Sequence, residues 1–325
     1  MSNSEDTIRA DGGAPIHIGV SSCLLGQKVR YDGGHKYYSW LVENLGPHVE
    51  FRPVCPETAI GLGVPRPPIH LVQRDDGVHA VGVDAPRQDV SERLREYAEL
   101  VADEIGDFAG YVFKRGSPSC GLARVPIATD RGEPAGEGAG LFASVIRQRW
   151  PNLPMEEESG LEDPARRARF LVNVFTYHRW QERRRKGMNA ASLVDFHTRN
   201  KFLVLAHDES RYRKLGPMVA QAGTTDPEEL ARCYESEFMA ALRHPATAGQ
   251  HGNVLMHLLG MVKDLLAPAD KQTLLRAIED LRRGTTSLQA VQGLLTPWLR
   301  KDARAWRAAE LYLQPFPADL LEMDC

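Results

Sequence analysis

The stretch FAGYVFKRGSPSCG, residues 108–121, joins an uncharged apolar run to a polar loop that contains a cysteine. Aromatic and β-branched residues in a short run of this kind are typical of a buried strand. The Ser, Pro and Gly residues of the loop favour turns. The same arrangement recurs in IHIGVSSC (16–23) and VEFRPVC (49–55). The sequence therefore predicts three strands that each lead into a cysteine-bearing turn.

Helical patterns separate these strands. The predicted helices are HKYYSWLVENLG (35–46), DVSERLREYAELVADEIG (89–106) and GLFASVIRQRWP (140–151). Two further strands are predicted, GVHAVGV (77–83) near a sheet edge and LPMEEE (153–158). Strands that alternate with helices indicate an α/β domain with a parallel sheet and helices on both faces.

The acidic, turn-rich stretch EEESGLEDP (156–164) predicts a domain boundary, because almost every later segment has helical periodicity. Pro297 is expected to kink or split the last of these helices. We predict an N-terminal parallel-sheet α/β domain over residues 16–163 and an all-α helical domain over residues 164–325. Residues 1–15 are predicted to form a flexible tail.

Length and composition limit the classes of protein. A chain of 325 residues suits about two domains. No window approaches the roughly 18 apolar residues of a membrane helix, and the polar first residues are unlike a secretory signal peptide. We therefore expect a cytoplasmic protein, in which the five cysteines do not form a disulfide framework. Cys233 in a helical pattern and Cys325 at the chain end are interpreted as structural residues.

The remaining cysteines, Cys23, Cys55 and Cys120, all follow predicted strands. Ligands bind at the carboxyl ends of the strands of an open parallel sheet, so we expect the three thiols to converge there. Thiolates favour zinc, cuprous copper or an iron–sulfur cluster. Structural zinc prefers cysteine pairs close in sequence, which these are not, and three ligands would leave one metal position open for a substrate. Three buried structural cysteines are the alternative.

Several blocks of the chain resemble known families. SSCLLGQKVRYDGGHK (21–36), PVCPE (53–57), GLGVPRPPIHLV (61–72) and KRGSPSCG (114–121) resemble the thiouracil desulfidase family, over about residues 16–160. The second half resembles the YbgA-type helical domain over about residues 165–317, in the blocks DFHTRNKFLVLAH (195–207), HPATAGQHGNVLMHLLG (244–260) and YLQPFP (312–317). Proteins that fuse the two domains are similar to desulfidases proposed to act on 4-thiouridine in tRNA.

The resemblance implies a 4Fe-4S cluster held by Cys23, Cys55 and Cys120. It also implies an enzyme, a desulfidase whose open iron binds the sulfur of a thiolated uracil base. The expected reaction converts 4-thiouridine in tRNA to uridine, with release of sulfide and without net redox change. The alternatives are a desulfidase for free thiouracil or thiouridine monophosphate, a non-catalytic iron–sulfur RNA-binding regulator, and a zinc-dependent hydrolase.

Residues beside the three cysteines are candidates for catalysis and substrate binding. Glu57 is the first candidate for acid–base chemistry, and Ser117 and Ser119 could donate hydrogen bonds to the base or to sulfur. Each of these has a structural alternative as a turn or capping residue. The candidate substrate contacts are Ser22, Tyr31, Asp32, Lys36, Arg66 and Lys114.

Charge is divided unevenly along the chain. Residues 1–164 contain 16 Lys and Arg against 25 Asp and Glu, a net charge of −9, whereas residues 165–325 have 24 against 18, a net of +6. A basic second half suits a polyanion such as tRNA. The candidate RNA contacts are Arg179, Arg183, Arg184, Arg185, Lys186, Arg199 and Lys201, with a solvated helix face as the alternative. The sequence leaves the oligomeric state open, and His197, His251 and His257 are interpreted as core or capping residues.

Overall fold

The computed structural model describes residues 14–84 and 88–320, so most of the predicted 1–15 tail, and Cys325, lie outside the described residues. The chain divides into two compact units between Phe170 and Leu171. The sequence places the boundary slightly earlier, before residue 164. A single long helix begins at that point and continues past the division.

Eight strands form two sheets in the described part of the first unit. The strands are β1 His17–Ser21, β2 Glu50–Val54, β3 Ile69–Arg74, β4 Gly77–Gly82, β5 Phe108–Phe113, β6 Val125–Thr129, β7 Pro134–Gly138 and β8 Met155–Glu157. The first sheet has the order β2-β1-β5-β8, and all its pairs are parallel. All six residues of β5 are buried, as the uncharged run 108–113 predicts. The predicted parallel sheet is therefore confirmed.

A second sheet, with the order β4-β3-β6-β7, is absent from the sequence-based prediction. It is mixed, since β3 pairs antiparallel with β4 and parallel with β6, and β6 pairs antiparallel with β7. Strand β4 lies at an edge, as predicted. Neither β3 nor β7 is predicted from the sequence, because prolines precede β3 and glycines occur in β7, and both residue types are depleted in strands.

Among the residues described, three α-helices accompany the sheets, α1 Pro56–Ala59, α2 Ser91–Glu104 and α3 Leu141–Arg149. The predicted helix over residues 35–46 is wrong in its first half, because regular helix is confined to the π-helical segment Trp40–Leu45. The amides of Lys36 and Tyr38 donate to the carbonyls of Cys23 and Leu24, at 2.9 and 3.0 Å. Residues 35–38 are thus held against the Cys23 turn instead of in a helix.

The second unit is all-α in its described part, which confirms the predicted class. Its helices are α4 Pro164–Arg185, α5 Ala190–His207, α6 Glu209–Ala220, α7 Pro227–Leu242, α8 Ala248–Val262, α9 Pro268–Arg282, α10 Leu288–Leu299 and α11 Ala303–Leu313. The chain does break just after Pro297, since α10 ends two residues later. None of the helices described is both long enough and apolar enough to cross a membrane.

Candidate active site

Three cysteines lie at the carboxyl ends of three adjacent strands. Cys23 lies in a short turn of 3₁₀ helix directly after β1, and Cys55 lies between β2 and α1. Cys120 lies in the loop after β5. Because β2, β1 and β5 are neighbours and parallel, their carboxyl ends meet at one edge of the sheet. All three cysteines line one cavity of about 400 Å³, so the predicted convergence is present.

The three thiols influence one another electrostatically. Burial raises the pKa of Cys23 to about 11, and the neighbouring Cys55 adds to that increase, whereas Arg30 and Lys114 oppose it. Burial also raises the pKa of Cys120 well above its ordinary value, with smaller increases from Glu57, Cys55 and Cys23. The two buried thiols are therefore protonated at neutral pH, and binding a metal would release their protons.

The donor set fits a soft metal centre. Three sulfur ligands from separate turns favour the metals that bind thiolate. Over residues 14–84 and 88–320, no three His, Cys, Asp or Glu side chains are grouped closely enough to hold a single metal ion. An iron–sulfur cluster does not need such a group, because each of its cysteines binds a different iron atom. The residues present are compatible with a cluster in the cavity.

Glu57 lines the same cavity and both of its carboxylate oxygens accept hydrogen bonds. Oε2 accepts from Nε and Nη2 of Arg66, at 3.0 and 2.7 Å, and Oε1 accepts from the hydroxyl of Ser119 at 2.9 Å. The Glu57 side chain is 13% exposed and that of Arg66 only 5%. The carboxylate is therefore fixed in one orientation beside the thiols.

Arg66 is fixed in turn by the backbone. Its Nη1 donates to the carbonyls of Val29 and Gly63, at 3.0 and 2.8 Å. The sequence suggests Arg66 as a substrate contact, and the structure shows that its guanidinium orients Glu57. It also lines the cavity, but four of its donor contacts are already made within the protein.

The loop with Cys120 is held by hydrogen bonds at both of its sides. The Ser117 hydroxyl accepts from the amides of Ser119 and Cys120, at 3.2 and 3.1 Å. The carbonyls of Pro118 and Ser119 accept from the amides of Leu141 and Ala143, each at 3.1 Å, in the first turn of α3. Ser117 lines the cavity, whereas Ser119 is fully buried and acts on the site through Glu57.

Cationic side chains surround the opening of the cavity. Among the candidate substrate contacts, Ser22, Tyr31, Lys36 and Lys114 line it together with Arg30 and Arg115. Lys36 and Arg115 are exposed, and the Arg30 guanidinium lies 5.4 Å from the Tyr31 ring centroid. The candidate Asp32 is not part of the lining, and its carboxylate accepts instead from the amide of Gly34 at 2.9 Å.

Glu158 is the site residue that sequence reasoning missed. Its carboxylate pairs with Lys114 Nζ and accepts from the amide of Arg115 at 2.7 Å, which anchors the start of the Cys120 loop. The sequence assigns residues 156–158 to the end of a predicted strand and to a domain boundary, without a role in the site. The signal that would have revealed it is its place directly after β8, at the same sheet edge as the cysteines.

Two family models and several known proteins match this chain. The family described as "2-thiouracil desulfurase" matches residues 18–158, and the family described as "Protein of unknown function (DUF1722)" matches residues 201–317. "Uncharacterized protein YbgA" of Escherichia coli (strain K12) is 30% identical over 148 residues, covering 45% of this chain and 88% of that protein. "Uncharacterized protein YbbK" of Bacillus subtilis (strain 168) is 31% identical over 146 residues, covering 43% of this chain and 95% of that protein.

The chain belongs to the 2-thiouracil desulfurase family. A solved structure, described as "[4Fe-4S]-dependent thiouracil desulfidase TudS", is 33% identical and covers 45% of this chain and 93% of that chain, with a TM-score of 0.36. The resemblance to the desulfidase family and to a YbgA-type second half is thus confirmed.

This family member also has a second unit whose candidate RNA contacts are partly engaged within the protein. Arg183 pairs with Asp195, Arg184 with Glu228 and Arg199 with Glu310, each at 3.0 Å. The Arg179 guanidinium donates to the Pro315 carbonyl at 2.8 Å, and burial lowers its pKa to about 10. Lys201 Nζ lies 5.0 Å from the Phe202 ring centroid, while Arg185 and Lys186 are exposed.

The helical-unit histidines and Cys233 have structural surroundings. His197 Nδ1 lies 3.1 Å from the Tyr234 hydroxyl, and His251 Nδ1 lies 2.9 Å from the Tyr312 hydroxyl. Cys233 is exposed on α7. None of these three side chains lies in the cavity with Cys23, Cys55 and Cys120.

Proposed function

We propose that this protein replaces the sulfur of a thiolated uracil by oxygen, with 4-thiouridine in tRNA as its substrate. One observation supports the proposal above all: three cysteines and an oriented carboxylate, Glu57, line a single cavity. The family described as 2-thiouracil desulfurase matches the unit that contains this cavity.

A 4Fe-4S cluster is the proposed cofactor, and Cys23, Cys55 and Cys120 are its proposed ligands. A cluster with three cysteine ligands supplies an iron with an open position, a Lewis acid for a soft sulfur atom. The proposal agrees with the cofactor named in the description of the solved desulfidase. Lys114 and Arg30 line the cavity and offer positive charge to a cluster with thiolate ligands.

Glu57 is the proposed general base. Each carboxylate oxygen can accept about two hydrogen bonds, so Oε2, with two from Arg66, is satisfied. Oε1 accepts one hydrogen bond, from Ser119, and has a second position for a water molecule. Glu57 would take a proton from that water as its oxygen bonds to the thiocarbonyl carbon of the base.

The proposed reaction is balanced without an oxidant or reductant. The carbon–sulfur bond breaks after water adds, and the sulfur leaves as sulfide with the protons that water supplied. The products are uridine in the tRNA and hydrogen sulfide. Ser117 lines the cavity. Its hydroxyl accepts from two amides of its own loop and keeps a proton that it would donate to the leaving sulfur or to the base.

The size and charge of the cavity suit a nucleotide of an RNA chain. A volume of about 400 Å³ is in the range of small-ligand sites. The exposed Lys36 and Arg115 at its opening provide charges for the phosphates on either side of the base. A thiolated base in folded tRNA would have to leave its stack to enter, as in other base-modifying enzymes. The net charge of +6 on residues 165–325 supports a tRNA partner for the second half.

A comparison of substrates tests the proposal. The protein, purified and reconstituted with iron and sulfide without oxygen, is given tRNA containing 4-thiouridine, thiouridine monophosphate and free thiouracil. We expect sulfide release and loss of thiocarbonyl absorbance, fastest on tRNA. Faster turnover of the free base or the monophosphate would make those the substrates. No turnover of any of the three by cluster-loaded protein would favour a non-catalytic regulator.

The variant Glu57→Ala tests the assigned base. We expect it to keep the iron content and absorption of the wild type but to lose turnover by at least about a hundredfold, the size typical of a lost general base. Glu137→Ala, which removes an exposed carboxylate on β7, is the matched control and should be unchanged. Wild-type turnover in Glu57→Ala would remove Glu57 from the mechanism.

A further inference from the structure

Two cations are held over tryptophan rings at the turn between α10 and α11. The Lys301 ammonium lies 4.0 Å from the Trp298 ring centroid, and the Arg300 guanidinium lies 5.0 Å from the Trp306 ring centroid. Both cations are exposed, and both rings are partly buried. Cation–π contacts of this kind restrict the side chains, so the two charges are held outside the helical core instead of moving freely in solvent.

The turn has more positive charge than its own carboxylates can balance. Residues 300–307 contain four cations and one acid, Asp302. The Asp302 carboxylate caps α11 by accepting from the amide of Ala305 at 2.7 Å, and Arg307 pairs with Asp195. In the described ranges 14–84 and 88–320, Arg300, Lys301 and Arg304 have no ion pair with a carboxylate.

Lys201 adds a fourth cation from a neighbouring helix. Helices α5 and α11 pack against each other, and the charge of Arg304 adds to the effect of burial in lowering the pKa of Lys201. Like charges placed together without a counter-ion reduce the stability of a fold. A surface that keeps such an arrangement is suited to a polyanion.

This surface shares only Lys201 with the α4 and α5 residues that the sequence suggests. Arg183, Arg184 and Arg199 are bound to carboxylates of their own unit, so an RNA phosphate would have to displace those partners. Arg300, Lys301 and Arg304 have no such competitor among the residues described. Besides Arg185 and Lys186, which are exposed on α4, the α10–α11 turn therefore offers phosphate a group of cations that no carboxylate of the described residues occupies.

We propose that Lys201, Arg300, Lys301 and Arg304, the α10–α11 basic surface, bind the phosphodiester backbone of RNA. The inference rests on the proposed tRNA substrate and assigns the surface of the helical unit that would hold it. Trp298 and Trp306 act as supports that hold Lys301 and Arg300 in place. The surface would recognise the charge of the RNA phosphates and not the bases, so it should bind tRNA with or without the thiolated base.

The experiment uses the full chain and two triple variants. R300Q/K301Q/R304Q removes three charges of the surface, and R232Q/K263Q/K271Q removes three exposed charges from α7, the segment after α8 and α9. Binding of unmodified tRNA is measured at several salt concentrations from low to physiological. Each lost phosphate contact should reduce the slope of log affinity against log salt by about 0.7 to 0.9.

We expect the surface variant to bind tRNA at least tenfold more weakly than wild type at low salt. The slope of its log affinity against log salt should be smaller by about 2. The affinity of the control variant should stay within about twofold of wild type. Equal losses in the two variants would overturn the proposal in favour of a general charge effect. So would wild-type binding that does not respond to salt. The single variant Arg304→Gln changes a side chain without a ring contact and should bind tRNA at least threefold more weakly than wild type. It still tests the surface if the triple variant misfolds.

Turnover of free thiouracil separates this inference from the proposed function. Both triple variants should keep wild-type turnover of the free base, because the α10–α11 basic surface contains none of the residues that line the cavity. Loss of tRNA binding with normal thiouracil turnover supports the surface. Absence of turnover in the wild type contradicts the proposed function, while the binding result still decides the inference.

Discussion

Arg66 has a structural importance that its position in a proline-rich stretch conceals. Its guanidinium makes two hydrogen bonds to Glu57 and two to backbone carbonyls, and its side chain is 5% exposed. Removing one partner of a buried pair leaves an uncompensated charge, which commonly costs about 3–5 kcal/mol. Arg66 is thus expected to affect both the stability of the first unit and the orientation of the base.

We predict that Arg66→Gln lowers the free energy of unfolding by about 3 kcal/mol. The reason is that the Glu57 carboxylate stays buried without its cation. Urea unfolding of the cluster-free protein measures the effect. The double variant Glu57→Gln with Arg66→Gln should be more stable than the Arg66 variant alone. If the two single effects simply add, the pair is not coupled and the interpretation is wrong.

We predict that Ser119→Ala lowers kcat on tRNA by about tenfold and leaves KM nearly unchanged. Ser119 is fully buried and donates to Glu57 Oε1, so its loss disturbs the orientation of the base but no contact with substrate. A tenfold loss corresponds to about 1.4 kcal/mol, the size of one hydrogen bond to a charged group. Steady-state kinetics at constant iron content measure it.

Ser144→Ala, a change on α3 outside the cavity lining, is the control for Ser119→Ala and should keep wild-type kcat. A Ser119 variant that loses iron instead of kcat would assign the residue to the fold of the Cys120 loop. A raised KM with normal kcat would mean that Ser119 contacts the substrate, contrary to its burial.

Sequence proximity decides which residues of the site could be predicted. Glu57 is two residues from Cys55, and Ser119 is adjacent to Cys120, so both can be proposed from their ligand turns. The pairing of Arg66 with Glu57 cannot be predicted in this way, because eight residues lie between them. Glu158 is more distant still, and its contact with Lys114 depends on the pairing of β8 with β5.

At the scale of elements, the packing of α3 against the Cys120 loop fixes the third cysteine. Gly140 precedes α3, with φ −62° and ψ 150°, a conformation open to any residue. A Cβ at this position would lie 2.5 Å from the backbone carbon and oxygen of Ser119. Only the absence of a side chain allows the loop and the helix to approach this closely.

We therefore predict that Gly140→Ala displaces the loop, lowers the iron bound after reconstitution by more than half, and destabilises the protein by about 2 kcal/mol. Gly106→Ala is the matched control, because its Cβ would meet only the Trp150 ring at 3.8 Å, an ordinary contact. Iron analysis and thermal unfolding measure the two variants. Equal iron in both would show that the loop adapts to the added methyl group.

Elements with strong periodicity were predictable, and elements defined by long-range pairing were not. The helix over 89–106 and the strand over 108–113 follow from local pattern alone. Strands β3, β6 and β7 have few residues with a clear alternation, and their partners are set by the second sheet. The failed helix over 35–38 has a similar cause, because its amides bond to the distant Cys23 turn.

For the whole molecule, two buried histidines of the helical unit make stability depend on pH. In the helical unit, burial lowers the pKa values of His197 and His251 to about 4, from an ordinary value of 6.5. Lys201 adds to the effect on His197, and His207 adds to the effect on His251. Both rings are therefore neutral in the folded protein at physiological pH.

The direction of the pH dependence follows from these values. Between pH 6.5 and 4 the unfolded chain binds protons at both histidines, whereas the folded chain does not, so stability is full above pH 6.5 and falls as pH decreases towards 4. Each histidine should cost about 2 kcal/mol at pH 5 relative to pH 8. We predict that the double variant His197→Gln with His251→Gln loses less stability over this range than wild type, by up to about 4 kcal/mol.

Chemical unfolding of wild type and variants at pH 8, 6.5 and 5 measures this prediction. His257→Gln, which removes an exposed histidine of α8, is the control and should follow the wild-type pH dependence. The comparison uses differences between variants, so titration of the first unit cancels. A double variant with the wild-type pH dependence would mean that burial does not keep the two rings neutral in acid.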